Sequence, residues 1–208
     1  MFNLTELEND ALVEIFNIGV GQAAASMSAI VHEAVRMSVP SISFIPRTEA
    51  ARLLGKNDGL PERICGVSQH FHGAFGTQAI LMFPEDKSLE IVRLMVGEAI
   101  PLKELTEMEQ EAMCEIGNIM LNSCVGTLAN TFQRELQGSL PQYHVGTSDE
   151  ILSATGSEAG NVVLMLHIDF VLEKHQIHGY VAFVLDISAL HDLQEQINLY
   201  IARAMGQA

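Results

Sequence analysis

Residues 4–18 read LTELENDALVEIFNI, and 101 residues later residues 105–119 read LTEMEQEAMCEIGNI. Nine of the fifteen positions are identical: Leu4, Thr5, Glu6, Glu8, Ala11, Glu14, Ile15, Asn17 and Ile18 recur as Leu105, Thr106, Glu107, Glu109, Ala112, Glu115, Ile116, Asn118 and Ile119. Unrelated sequences of ordinary composition match at roughly one position in fifteen. Chance is a poor explanation for one helix start written twice at a fixed interval.

Each copy opens with the pattern of a capping box, Thr5 with Glu8 and Thr106 with Glu109. In such a box the threonine hydroxyl accepts from the third amide and the glutamate reaches back to the threonine amide. The pattern predicts helix starts near residues 5 and 106. No proline or glycine cluster interrupts either helix before about residues 35 and 137, and Gly138 suits a left-handed end to the second.

The correspondence runs further. Pro40 and Pro141 follow at equal offsets, then short alternating runs, SISFI from Ser41 and QYHV from Gln142, that read as strands. Short helical pieces follow, TEAARLL and SDEILSA, and then two extended segments per half, about residues 63–72 and 75–83, and 161–173 and 177–186. Gly73 and Gly76, and the segment KHQIH, fall where hairpin turns are needed. Each half closes on an amphipathic helix, DKSLEIVRLMVG and SALHDLQEQINLYIARAM. Hairpin-joined strands favour an antiparallel sheet with the long helices on a face, an α+β arrangement. A lone half of three strands would leave a sheet edge open, so we expect residues 1–208 to form one pseudo-twofold domain with internal repeats at about 4–100 and 105–204.

At about 100° per residue, Asp10, Glu14 and Asn17 fall in one stripe, and Glu111, Glu115 and Asn118 repeat it. Leu12, Ile15, Phe16 and Gly19, and Met113, Ile116, Gly117 and Met120, take the opposite side. Further along the stripe lie Gly21, Ala24, Ala25 and Ser28, and Asn122, Val125, Gly126 and Ala129. Small residues in place of long charged ones suggest a docking face with a carboxylate and an amide at one end. Acidic residues in a first turn are ordinary compensation of the helix dipole. Asparagine inside a helix is unfavourable, and its retention in both copies asks for a role.

The pattern Asp10, Glu14, Asn17 and Pro40, met again by Glu111, Glu115, Asn118 and Pro141, resembles the signature of the CheC-type chemotaxis phosphatases, the CheC/CheX/FliY family. Two copies look most like two-site CheC. FliY-type extra regions have no counterpart in this length, which points away from a flagellar switch subunit.

The resemblance implies an α/β fold with a six-stranded, mainly antiparallel sheet and two long motif-bearing helices. It implies dephosphorylation of the aspartyl phosphate of a CheY-type response regulator, with a CheD-type deamidase as a further partner. On that resemblance Asn17 and Asn118 position the attacking water, and Glu14 and Glu115 dock to a lysine of the regulator. Asp10, Glu111, Pro40 and Pro141 support the motif. No cofactor of the chain's own is expected, and Mg2+ belongs to the regulator. Glu111 departs from the Asp or Ser expected at its position, which makes the first site the safer expectation. The rival reading is a non-catalytic adaptor that binds a regulator or a CheD-type partner through the same faces.

The remaining features bear on what to exclude. A formal net charge of −15, with no Lys/Arg run, argues against a nucleic-acid surface. The longest apolar runs are too short to span a bilayer, and no secretory leader is visible, so a cytoplasmic location is expected. Cys65, Cys114 and Cys124 lack the spacing of a disulfide framework or zinc site. Cys114, beside Glu115, could serve as a redox switch, though a buried structural thiol is the plainer reading. His70 and His72 alternate, and His175 and His178 lie near the second hairpin, but no carboxylate or cysteine spacing completes a metal site. Met82, Met95, Met113, Met120 and Met165 read as core filling. The glycines of NIGVGQ imitate a nucleotide loop only weakly, since no strand precedes them.

Overall fold

The computed structural model describes residues 4–31, 34–56, 63–73, 76–96, 101–153, 162–172, 175–185 and 187–206. The first half runs α1 (Glu6–Val31), β1 (Val35–Pro46), α2 (Arg47–Lys56), β2 (Ile64–Gly73), β3 (Thr77–Pro84) and α3 (Glu85–Val96). The second runs α4 (Leu102–Phe132), β4 (Leu136–Gly138), β5 (Gln142–Gly146), α5 (Ser148–Ser153), β6 (Val162–Leu172), β7 (His175–Leu185) and α6 (Ile187–Ala204).

Among the described residues seven strands join one antiparallel sheet in the order β1-β6-β7-β3-β2-β4, with β5 also pairing β2. The halves interleave. β1 pairs with β6 of the second half, and β4 and β5 pair with β2 of the first. The first strand of each half therefore closes an edge of the sheet built by the other.

Seven strands stand where six were expected because the counterpart of β1 is broken. In β1 the register with β6 shifts between Ser38 and Ser41, around Pro40. At the equivalent place, Ser139–Pro141, the ladder stops and divides β4 from β5. Proline has no N–H to give a ladder and is tolerated at sheet edges and bulges, which is where both prolines sit.

The capping box at Thr5 forms as expected. The Thr5 amide and hydroxyl donate to Glu8 Oε2 at 2.7 and 2.8 Å, and Thr5 Oγ1 accepts from the Glu8 amide at 3.2 Å. Burial pushes the Glu8 carboxyl up, but hydrogen bonds from Thr5, Gln194 and Asn198 outweigh it and hold the group below its ordinary value. At the second copy the expectation fails. α4 begins at Leu102, a turn earlier, so Thr106 lies within the helix. Glu109 instead accepts from Tyr143 Oη at 2.8 Å and from the buried Ser88 hydroxyl, tying α4 to β5 and α3. Burial and this bond to Glu109 raise the Tyr143 pKa. A capping box that the spacing did not single out opens α5: Thr147 N–H donates to Glu150 Oε2 at 2.8 Å, and the Glu150 amide donates back to Thr147 Oγ1 at 3.3 Å.

The long helices end at residues 31 and 132, earlier than expected. α4 closes on Gln133 in the left-handed conformation, whose N–H reaches back into the last turn. Gly138, expected to play that part, lies in β4 against the Phe71 ring.

The apolar sides of α1 and α4 behave as the periodicity requires: Leu12, Ile15, Phe16, Met113, Ile116 and Met120 are fully or nearly fully buried. They join β1, β2, β3, β6, β7, α3 and α6 in one large core. A β-carbon on Gly19 would lie 3.0 Å from Cys124 Cα, so α1 and α4 meet there almost backbone to backbone. A β-carbon on Gly117 would collide with Val67, so α4 presses directly on β2. The opposite sheet face carries a smaller cluster under α2 and α5, including Ala50, Leu54, Ile80, Ile151 and Met165. That cluster covers one end of the face only. Met82, Met113, Met120 and Met165 are buried as expected, while the Met95 side chain is outside the described set.

Candidate functional site

Because the apolar side fixes how each long helix rolls, Asp10 and Glu14 on α1 and Glu111 and Glu115 on α4 face solvent. Among the described residues none of the four carboxylates has an ion-pair partner. Around them lie exposed apolar side chains at equivalent places, Leu7 and Ile18 on α1 and Met108 on α4, with Ile119 half-buried. Gly21 and Ala25 are exposed, and open space surrounds Gly21 and Gly126. The stripe is narrower than the periodicity suggests. Ala24 and Val125 belong to the core, because the pairing of α1 with α4 closes over them.

The two asparagines are half-buried and hold different bonds. Asn17 Oδ1 accepts from the Val39 amide at 2.9 Å, and its Nδ2 donates to Val39 O at 3.4 Å and Val13 O at 3.1 Å. The amide thus supplies the ladder that β1 loses at its bulge, one residue before Pro40. This is a physical reason for the fixed spacing of asparagine and proline in the motif. Asn118 Oδ1 accepts from Asn122 Nδ2 at 2.7 Å and from Gln69 Nε2 at 3.2 Å. Its own Nδ2 has no partner among the described residues. Gln69 also donates to Ser139 O at 2.9 Å, so Asn118 is joined to the break before Pro141 through an intermediary. The two sites therefore lie at opposite edges of the sheet, each where a proline interrupts the edge strand.

Gln69 escaped the sequence reading. It sits on β2, in the half opposite to the asparagine it supports, and no periodicity along the chain joins the two. Its Oε1 is buried with no partner among the described residues.

Cys114 Sγ lies 4.0 Å from the Pro141 carbonyl oxygen, and burial pushes its thiol up, which disfavours the reactive thiolate. Cys65 and Cys124 are pushed up to about 12, both chiefly by burial. All three behave as structural thiols.

The histidines correct one expectation. His70 and His72 stack on one face of β2, as their alternation suggests, with ring centroids 6.4 Å apart. The side chain of His175 lies outside the described residues. His178, however, stands beside a carboxylate that spacing along the chain does not reveal: Asp169 faces it across the β6–β7 ladder, with His167 on the same face.

No helix among the described residues is long and apolar enough to cross a membrane. No family model matches the chain. The flagellar motor switch phosphatase FliY of Bacillus subtilis is 27% identical over 144 residues, which is 67% of this chain and 36% of FliY. The chain thus spans little more than a third of that relative. The CheY-P phosphatase CheC of the same organism is 22% identical over 183 residues, 85% of this chain and 86% of CheC. Among solved structures, Thermotoga maritima FliY superposes with a TM-score of 0.76 at 18% identity, covering 96% of this chain and all of that one. The chain is thus similar in sequence to FliY and CheC of Bacillus subtilis and shares its fold with Thermotoga maritima FliY.

Proposed function

We propose that this protein is a phosphatase acting on the aspartyl phosphate of a CheY-type response regulator. The observation that carries the reading is the duplicated Glu/Asn pair, held outward on a rigid helix face with each asparagine fixed at a break in an edge strand. The names of its relatives, CheY-P phosphatase and flagellar motor switch phosphatase, support the same class of activity.

An acyl phosphate is already energetic, so the enzyme's task is to hold a water in line with phosphorus. A neutral carboxamide suits this, since it donates and accepts without adding charge beside the phosphoryl group. Asn118 is poised for it: Gln69 and Asn122 orient its oxygen and leave Nδ2 to engage the water. Asn17 performs the same role only by sharing or releasing its bonds to Val39, which makes the second site the stronger candidate of the two. Glu14 and Glu115 form charge-assisted hydrogen bonds to a lysine of the regulator. Asp10 and Glu111 lie one turn away and shape the docking surface, whose apolar contacts are Leu7, Ile18 and Met108. Mg2+ is held by the regulator, and a CheD-type protein is a further partner for the same surface. The setting is cytoplasmic. The bound state of Asn17 favours one variant of the reading, in which the first site captures a regulator without turning it over.

The test is phosphate release from a phosphorylated CheY-type regulator with substoichiometric protein. Asn118→Ala is expected to cost about a hundredfold, the scale for removing one positioning group, and Asn17→Ala less. Undiminished turnover by a folded Asn17→Ala/Asn118→Ala variant overturns the mechanism. Stoichiometric protection of the phosphate by the unmodified protein identifies an adaptor.

A further inference from the structure

The open end of the sheet face opposite α1 and α4 carries His167, Asp169 and His178. Asp169 and His178 are direct cross-strand partners, and His167, two residues before Asp169 on β6, points the same way. Both imidazoles address a single carboxylate oxygen, with His178 Nδ1 at 2.8 Å and His167 Nε2 at 3.9 Å from Asp169 Oδ1. One ligand atom from each residue fits within 4.8 Å of the others. The Tyr180 ring stacks on His167 with centroids 5.1 Å apart and planes 17° from parallel, which limits rotation of that imidazole.

We propose that His167, Asp169 and His178 form a binding site for a divalent transition metal of the Zn2+ class. Tetrahedral Zn2+ with bonds of about 2.0–2.1 Å separates its ligand atoms by about 3.3 Å. The two nitrogen–oxygen separations here, 2.8 and 3.9 Å, bracket that value, so small side-chain rotations on a fixed backbone complete the geometry. Two imidazoles and one carboxylate suit Zn2+, Ni2+ or Cu2+ and disfavour Mg2+, which prefers oxygen ligands. Three protein ligands leave a fourth position. Beside His167 a cleft of about 340 Å³, lined by Ser41, Ser43, Leu53, Met165 and Tyr180, offers room for water or a small anion there. The cluster lies next to the β1 bulge: Ser38 pairs with Asp169 and Ser41 with His167, and the intervening Val39 holds Asn17. The site is independent of the phosphatase reading and needs no regulator.

Equilibrium dialysis of the intact chain against Zn2+ tests it, with Co2+ substitution as a spectroscopic check. One Zn2+ per chain is expected, and Co2+ should give the visible bands of a four-coordinate nitrogen–oxygen site. His167→Ala/His178→Ala should abolish binding, and Asp169→Asn, nearly identical in shape, should weaken it by about tenfold or more. His70→Ala/His72→Ala should leave it intact. All three variants change half-buried or exposed side chains, and circular dichroism without metal verifies their fold. Failure of the intact chain to bind Zn2+ saturably overturns the proposal. Binding that survives His167→Ala/His178→Ala, or that disappears with His70→Ala/His72→Ala, does the same.

Discussion

At Asn17 and Asn118 one repeated residue meets two different surroundings, and the difference has consequences for stability as well as chemistry. Asn17→Ala strands the Val39 amide and carbonyl beside the bulge, so it should destabilise the fold by about 1–3 kcal/mol. Asn118→Ala leaves Gln69 bonded to Ser139 and should cost about 0.5–1.5 kcal/mol. Urea unfolding checks this order, which is the reverse of the order expected for phosphate release. Glu8 carries a pH dependence of definite sign. Its carboxyl titrates below the ordinary 4.5 in the folded state, so its stabilisation is complete above that value and fades as pH falls through the lowered folded value. The stability difference between the unmodified protein and Glu8→Gln should therefore shrink in acid unfolding measured across that window. An equal difference at neutral and acid pH would refute the assignment.

α1 and α4, of 26 and 31 residues, share a polar stripe and an apolar side, but close glycine contacts decide how tightly each helix seats. Gly117→Ala forces a methyl into Val67 on β2 and should destabilise by about 1–3 kcal/mol. Gly21→Ala enters open space and should stabilise α1 by up to about 1 kcal/mol, through helix propensity alone. Thermal unfolding of the two variants distinguishes a packing contact from an open helix face. The second capping pattern is an instructive miss. Thr106-x-x-Glu109 has the right letters, yet helix continues back to Leu102, and Glu109 is drawn to Ser88 and Tyr143 on neighbouring elements. A local motif yields when a tertiary partner offers its side chain a better-buried bond.

The interleaving of the two halves governs the whole molecule. β1 has its ladder with β6, and β4 and β5 have theirs with β2, so neither half alone can close its own sheet edge. Residues 1–100 and 101–208 produced separately should each lack cooperative unfolding by circular dichroism, and mixing them should restore it. A half that unfolds cooperatively by itself would contradict this. The chain alone determined the duplication, the two long helices and the outward side of Asp10, Glu14, Glu111 and Glu115. These follow from periodicities of 3.6 and 2 and from a fixed offset of 101 residues, all local to the sequence. The pairing of α1 with α4 took Ala24 and Val125 out of the stripe. Only the tertiary structure decided which strand lies beside which, because register is set by hydrophobic faces meeting across the sheet. That register divides the counterpart of β1 into β4 and β5 and places Gln69 behind Asn118. It also brings Asp169 between two histidines. The Gln69–Asn118 bond spans 49 residues, and the Asp169–His178 contact depends on which residues face each other across a hairpin; no spacing rule along the chain supplies either.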